Sequence, residues 1–366
     1  MAVDYRKTPW PWFGGKSQAA PLVWKVLGDV PHYVEPFAGG LAVLLNRPHP
    51  CNRTYYSETV NDLDGFIVNV WRAIQWHPEE TAAHASWPVS EADKSARQIA
   101  CLRWRTEKTL DLLAGSPEWC DPKMAGWWLY GTCCQIGAFA GDGPWTVDHV
   151  TGRIVKQGRE PGVFRDLPHL ADDGQGVNRP QLRAPGVLSD EPDNEFHPLT
   201  MPELIRWFQW LSARLRHVRI VNGDWSRVVT TGAALTLPVR KGHGPCGIFL
   251  DPPYDSGERA RGIYGADFDS GAVASECRQW ARTVAADPRY RVVLAGYDSE
   301  HAELEGEGWT AHEWFAAGFL RGGMGLVGTK NGKTHQQHRE RLWASPHCLP
   351  ATDEPGDLFA TLEIEE

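Results

Sequence analysis

The sequence predicts an α/β fold, a mixed, mostly parallel, doubly wound sheet interrupted by an insertion. Three observations predict it. Residues 33–76 alternate short apolar strands with segments of helical spacing, in the order β-α-β-α. Residues 201–344 resume that alternation. Residues 115–200, between them, are rich in Gly, Pro, Asp and aromatic residues and hold no sustained period. Repeated β-α units build parallel sheets with helices on both faces. An irregular stretch that long inside a compact domain is usually functional or a small domain of its own.

Each element has a local reason. Residues 1–16 are polar and end in Trp12-Phe13-Gly14-Gly15-Lys16, a turn signal. Residues 17–27 predict a short helix with Pro21 near its first turn. Tyr33-Val34-Glu35 is a short strand running into Pro36-Phe37-Ala38-Gly39-Gly40, and residues 41–45 start a helix. Residues 54–60 are β-prone and end at Asn61-Asp62. Apolar residues at 66, 67, 70, 71 and 74 have helical spacing, and Pro78 stops that helix. Residues 92–113 read as one helix.

Order returns at residues 201–217, an amphipathic helix with Leu204, Ile205, Phe208, Leu211 and Leu215 on one side. Residues 218–221 are a strand ending at Asn222-Gly223-Asp224. Residues 247–250 are a buried strand ending at Asp251-Pro252-Pro253-Tyr254. A helix over 273–286, a strand over 291–295 and two final strands at 309–315 and 341–344 complete the pattern.

Composition bounds the function. With 42% hydrophobic residues the chain is not disordered. No stretch approaches ~20 apolar residues, so no membrane helix is expected. The start lacks a basic-then-apolar signal pattern, which predicts a cytoplasmic protein. The eight Cys contain no C-x-x-C pair and read as buried thiols. Cys120, Cys133, Cys134 and His149 fit no common zinc-finger spacing, so no metal is expected. A net charge of −9 weighs against a nucleic-acid partner. Six of the acids lie beyond Ser345 in a tail without Lys or Arg, and removing them leaves −3. That balance, with local basic stretches, is compatible with transient DNA contact.

The most specific chemistry is Asp251-Pro252-Pro253-Tyr254 after an apolar strand. Ligands bind at the carboxyl ends of such strands. Two prolines remove N–H donors and stiffen the backbone. A carboxylate, a free carbonyl and an aromatic face then suit a planar exocyclic amine. Four residues alone also fit a plain Pro-Pro turn. The turn at Glu35, Pro36, Phe37, Ala38, Gly39 and Gly40 lets a ligand approach backbone at a helix start. Asp62, on the next strand's end, suits the hydroxyls of a ribose. The turn lacks the G-x-x-x-x-G-K-[ST] pattern, so an adenosine cofactor without phosphates fits better.

Together these motifs resemble the Dam-type (D12 class) DNA adenine N6-methyltransferases, especially phage-encoded members. Trp12, Gly14 and Lys16 are similar to the family's Trp-x-Gly-Gly-Lys motif, which lies against S-adenosyl-L-methionine. Residues 35–40 resemble its F-x-G-x-G motif, with Leu41 where the last Gly is usual. Asn61-Asp62 looks like the ribose-binding position, Asp224 the acid that contacts the cofactor adenine, and residues 251–254 the D-P-P-Y motif. Residues 341–348 are similar to the closing strand. The motif order resembles the alpha group.

The resemblance implies a Rossmann-like class I S-adenosylmethionine-dependent methyltransferase fold. It divides the chain into a first catalytic part (1–80), an inserted target-recognition region (81–200), a second catalytic part (201–348) and an acidic tail (349–366). It implies a catalytic set of Asp251, Pro252, Pro253 and Tyr254, acting on an adenine flipped from double-stranded DNA. No metal is needed.

Basic residues cluster at Arg97, Arg103, Arg105 and Lys108, and at Arg206, Arg214, Arg216 and Arg219. The better DNA-binding candidates are Arg259, Arg261, Lys330, Lys333 and Arg339, which flank the catalytic strand in sequence. Solvated faces are the bland reading of such clusters. Trp145, in a glycine-rich loop, is a candidate to stack on or wedge a base. Trp71, Trp104, Trp127, Trp207 and Trp210 sit at helix-like positions and read as core.

Competing readings are an amino methyltransferase for cytosine N4, RNA or a protein glutamine, and a DNA-binding relative without catalysis. A nicotinamide oxidoreductase shares the β-α-β logic but its phosphate fingerprint is incomplete here. Oligomeric state is not readable.

Overall fold

The computed structural model describes residues 6–10, 12, 15–48, 56–87, 91–134, 139–140, 145–147, 154–156, 201–253, 270–314 and 340–351. Its strands are β1 (His32–Glu35), β2 (Ser57–Asp62), β3 (Trp145–Val147), β4 (Ile154–Lys156), β5 (Val218–Asn222), β6 (Cys246–Leu250), β7 (Tyr290–Tyr297), β8 (Thr310–Glu313) and β9 (Glu340–Ala344). Seven of them form one sheet, ordered β5-β2-β1-β6-β7-β9-β8. The first five run parallel, and β9 lies antiparallel between β7 and β8. This is the mostly parallel, doubly wound sheet of a class I methyltransferase fold. Strands β3 and β4 form a separate antiparallel pair.

The helices before the insertion are α1 (Ala20–Leu27), α2 (Ala42–Leu45), α3 (Gly65–Trp76), α4 (Pro78–Ala85), α5 (Glu91–Trp104), α6 (Glu107–Gly115) and α7 (Pro122–Cys133). After it come α8 (Met201–Leu215), α9 (Ser226–Val229), α10 (Thr231–Ala234), α11 (Leu237–Arg240), α12 (Ser270–Val284) and α13 (Asp298–His301).

Strand alternation sorts the core into two layers. Tyr33, Val60, Ile220, Phe249, Val293 and Leu342 face a layer built by α1–α8. Val34, Ile248, Leu250, Leu294 and Trp343 face α9–α12. Both faces of the central strands are therefore buried, as a parallel sheet requires. Trp71 and Trp207 are buried, while Trp104, Trp127 and Trp210 are half-buried against the same core.

Helix α3 ties the first layer to the sheet. Asp64 caps it, accepting from the Phe66 N–H at 2.8 Å. Its buried Arg72 donates to the Ile220 carbonyl of β5 and to those of Leu113, Ser116 and Trp119. Asn69 exchanges two hydrogen bonds with the Asp121 backbone. The connection between α6 and α7 is thus held on α3.

Three local expectations need correction. Pro78 opens α4 as well as ending α3, because its missing N–H is harmless in a first turn. The single helix expected over 92–113 is two, since Thr106 turns extended and caps α6. Residues 122–133, expected to be irregular, form α7. That helix is buried around most of its girth, so its apolar residues carry no amphipathic period.

Candidate active site

Strand β1 has β2 on one side and β6 on the other, so the chain leaves it in one direction and returns on the opposite side. The crevice at such a switch point is where open α/β sheets bind ligands. The predicted cofactor and catalytic motifs meet along this edge, at the carboxyl ends of β1, β2, β5 and β6.

Glu35 ends β1 and is buried. Its Oε2 accepts from the Tyr33 hydroxyl at 3.0 Å and from the Leu44 N–H at 3.3 Å, which anchors α2. Burial pushes its carboxyl up to about 8, so it is mostly protonated at neutral pH. The turn after it is fixed by backbone groups. Ala38 donates to the Asn61 carbonyl at 2.7 Å, and Leu41 to the Ala38 carbonyl at 2.8 Å. Gly39 has φ +43° and donates to Asp62 Oδ2 at 2.8 Å. Its carbonyl accepts from the Trp71 indole at 2.8 Å. A Cβ on Gly39 would lie 2.6 Å from Trp12 Nε1, so Trp12 rests directly on the turn. Thr8 donates to the Gly40 carbonyl.

Leu41 takes φ +53°, a left-handed conformation unusual for a branched residue. The turn keeps a glycine-like backbone although a leucine stands there.

Asp62 is half-buried at the end of β2. Besides Gly39, its Oδ1 accepts from the Asp64 N–H at 2.9 Å. Burial outweighs these bonds and pushes its carboxyl up to about 6. Asn61 donates to the carbonyls of Pro36 and Gly223, lacing the ends of β1, β2 and β5. Asn222 donates to the carbonyls of Asp62 and Leu63. Asp224 is exposed, its Oδ1 accepting from the Ser226 N–H at 2.9 Å and from its hydroxyl. Leu63, 44% exposed, stands beside Asp62 as an apolar surface open to solvent. Phe37 stacks on Trp225 at 6.2 Å between centroids.

Asp251, Pro252 and Pro253 follow β6. Lys16, only 4% exposed, places its ammonium 3.1 Å from Asp251 Oδ1 and 3.7 Å from Glu340 Oε2. The same ammonium lies 5.5 Å from the centre of the Trp314 ring. Glu340 starts β9 and Trp314 follows β8, so the last strands of the sheet also reach this edge.

Residues 12–94 match the family model of D12 class N6 adenine-specific DNA methyltransferases. The match spans Trp12, Lys16, the turn after β1 and Asp62, and indicates an adenine-specific DNA methyltransferase. No curated protein matches the chain significantly.

Several predicted site residues lie outside the described residues: Gly14, Tyr254, Arg259, Arg261, Lys330, Lys333 and Arg339. Trp145 is described by its backbone alone, at the start of β3. Two of the weaker basic candidates are engaged internally. Arg97 is buried, 4.2 Å from the centre of the Tyr130 ring, and Arg214 pairs with the buried Glu58 at 2.7 Å. Burial pushes the Cys120 and Cys134 thiols up to about 11. Among the described residues, no group of His, Cys, Asp or Glu is arranged to hold a metal, and no helix is long and apolar enough to cross a membrane.

Sequence reasoning missed Thr8, Glu340 and Trp314, and read Trp71 only as core. The Trp71 indole had no local signal for its bond to Gly39. Glu340 and Trp314 reach the site only through the antiparallel return of the last strands.

Proposed function

We propose that the chain is a site-specific, Dam-type methyltransferase of the alpha-group arrangement, as in phage-encoded members. It uses S-adenosyl-L-methionine to methylate N6 of an adenine flipped from double-stranded DNA, and works in the cytoplasm of a bacterial or phage-infected cell. The observation that carries this reading is the placement of Asp251-Pro252-Pro253 and the turn after β1 on the same ends of adjacent strands.

The donor set supports the cofactor. Asp62 and Asp224 stand on the ends of neighbouring strands, a spacing that suits a ribose diol and an adenine amine. Gly39 leaves no space for a Cβ between the turn and Trp12, so the ring packs directly on the turn backbone. Trp12, Lys16, Glu35, Pro36, Phe37, Ala38, Gly39 and Gly40 would frame the site. When bound, S-adenosyl-L-methionine supplies an electrophilic methyl group on a sulfonium centre.

The chain's own residues then do three things. Asp251 and the Pro252 carbonyl accept the two N–H bonds of the adenine amine, turning its lone pair toward the methyl donor. Asp251 stabilises the positive charge that grows on nitrogen. Pro252 and Pro253 hold these acceptors rigid, so orientation contributes much of the rate. Tyr254 stacks on the extruded base, since an exocyclic amine is out of reach inside the duplex. Residues 1–80 and 201–348 form the catalytic part, and 81–200 read the target sequence. Arg259, Arg261, Lys330, Lys333, Arg339 and Trp145 contact the DNA.

The test is direct. Unmethylated duplex DNA is incubated with the protein and methyl-labelled S-adenosyl-L-methionine, then digested to nucleosides. N6-methyldeoxyadenosine is expected. Label in N4-methyldeoxycytidine, or no label in DNA, overturns the reading.

A further inference from the structure

Lys16 sets a problem for a site of this kind. Methyl transfer to an amine starts with one cation and builds positive charge on a second atom. A buried ammonium 3.1 Å from Asp251 neutralises the carboxylate that should favour this charge. Glu340 answers it. Its Oε2 is buried and accepts no hydrogen bond among the described residues, yet it faces the Lys16 ammonium at 3.7 Å. Lys16 is itself only 4% exposed, Glu340 13% and Asp251 21%, so water reaches the three charges only in part. Trp314 covers the ammonium from another side.

We propose that Glu340 is a positioning residue that holds and neutralises Lys16, so that the Asp251–Lys16–Glu340 cluster presents one net negative charge to a cationic group in the crevice. Lys16 engages Asp251 Oδ1, which orients the carboxylate and leaves Oδ2 for the substrate amine. Glu340 contributes through Lys16 and touches neither reactant. The inference rests on the methyltransferase reading and adds to it a second carboxylate, from the far end of the chain, that sets the electrostatics of the first.

The test separates charge from folding. Calorimetry compares S-adenosyl-L-methionine, a sulfonium cation, with S-adenosyl-L-homocysteine, which has the same frame without that charge. Glu340→Gln should raise the ratio of their dissociation constants (sulfonium over thioether) about tenfold, as expected for loss of one charge several ångströms away. The double variant Lys16→Met/Glu340→Gln keeps Asp251 alone, again one net negative charge, and should return the ratio toward wild type. Glu340→Asp should hold it there, even where both affinities fall. General damage to the site would weaken both ligands alike and leave the ratio fixed.

An unchanged ratio in Glu340→Gln, or a double variant no closer to wild type than the single one, overturns the proposal. If wild type binds neither ligand, the methyltransferase reading falls first and this inference falls with it.

Discussion

Gly39 and Asp62 stand 23 residues apart in sequence, and the N–H of one is held by the carboxylate of the other at 2.8 Å. The bond joins the turn after β1 to the end of β2. It also determines what Asp62 offers a ligand. Its oxygens are held by backbone N–H groups, at Gly39 and at Asp64. The carboxylate is thus aimed before any ligand arrives, which lowers the ordering cost of binding.

Gly39→Ala should separate binding from folding. The new Cβ falls 2.6 Å from Trp12 Nε1, on a residue with φ +43°, so Trp12 or the turn must move. Affinity for S-adenosyl-L-homocysteine should drop at least about tenfold, with a loss of stability of roughly 1–2 kcal/mol for an alanine held at positive φ. Gly232→Ala is the control, because open space surrounds its Cβ position. Calorimetry and thermal melting check both variants. Unchanged affinity in Gly39→Ala would remove the turn from the binding site.

Glu35 should make the protein less stable as pH rises through neutrality. Its carboxyl lies at about 8 in the folded chain against an ordinary 4.5, so folding retains a proton that unfolding releases. Stability from that proton is complete below pH 4.5 and is lost as pH rises to about 8. Asp62 and Asp64, both near 6, act in the same direction over a lower range. The buried His32 and His301 are lowered to about 4 and act oppositely, losing stability as pH falls from 6.5. Just above pH 6.5 the unfolded-state histidines still titrate and offset part of the Glu35 loss, so the Glu35 share is read as the difference from Glu35→Gln. Between pH 6.5 and 8 that share should fall by about 2 kcal/mol, at ~1.4 kcal/mol per unit. Glu35→Gln should flatten that window in urea titrations at each pH.

The parts of this architecture legible in sequence are those with a local cause. The strands are short and centred on apolar residues, so β1, β5 and β6 stand out, and α8 shows its period because only one face is buried. The motifs at residues 35–40 and 251–253 were legible because they sit directly after strands. Helix α7 was hidden because burial on several sides erases the amphipathic signal. Glu340 was hidden for another reason. It resembles any acidic residue before a strand, and gains its partner Lys16 only because β9 runs antiparallel and brings its first residue to the ligand edge.

Asp251→Asn should uncouple chemistry from binding. The amide keeps the size of the side chain but removes the negative charge beside the reacting nitrogen. Single-turnover methyl transfer to duplex DNA should fall by about 10²–10³, the usual scale for loss of one preorganised electrostatic group. Affinity for the uncharged S-adenosyl-L-homocysteine should stay within about threefold, because the proposed site assigns the nucleoside part to Asp62, Asp224 and the turn. A variant that methylates adenine at the wild-type rate would exclude Asp251 from the chemistry.

Leu41→Gly tests whether the turn is set by its backbone or by the leucine side chain. Leu41 is left-handed, with φ +53° and ψ +27°, and its side chain is fully buried in the layer under α2. Glycine would relieve strain of roughly 1–2 kcal/mol. It would also forfeit the packing of a buried leucine, about 2–5 kcal/mol, and add backbone entropy to the unfolded chain. The loss exceeds the gain, so the variant should be less stable by about 2–4 kcal/mol, measured by denaturant titration. Its affinity for S-adenosyl-L-homocysteine should change less than about threefold, since the backbone already has the conformation a glycine would choose. A stabilised variant would mean that strain outweighs packing at this position. A large affinity change would mean that the leucine side chain, and not the turn alone, shapes the crevice.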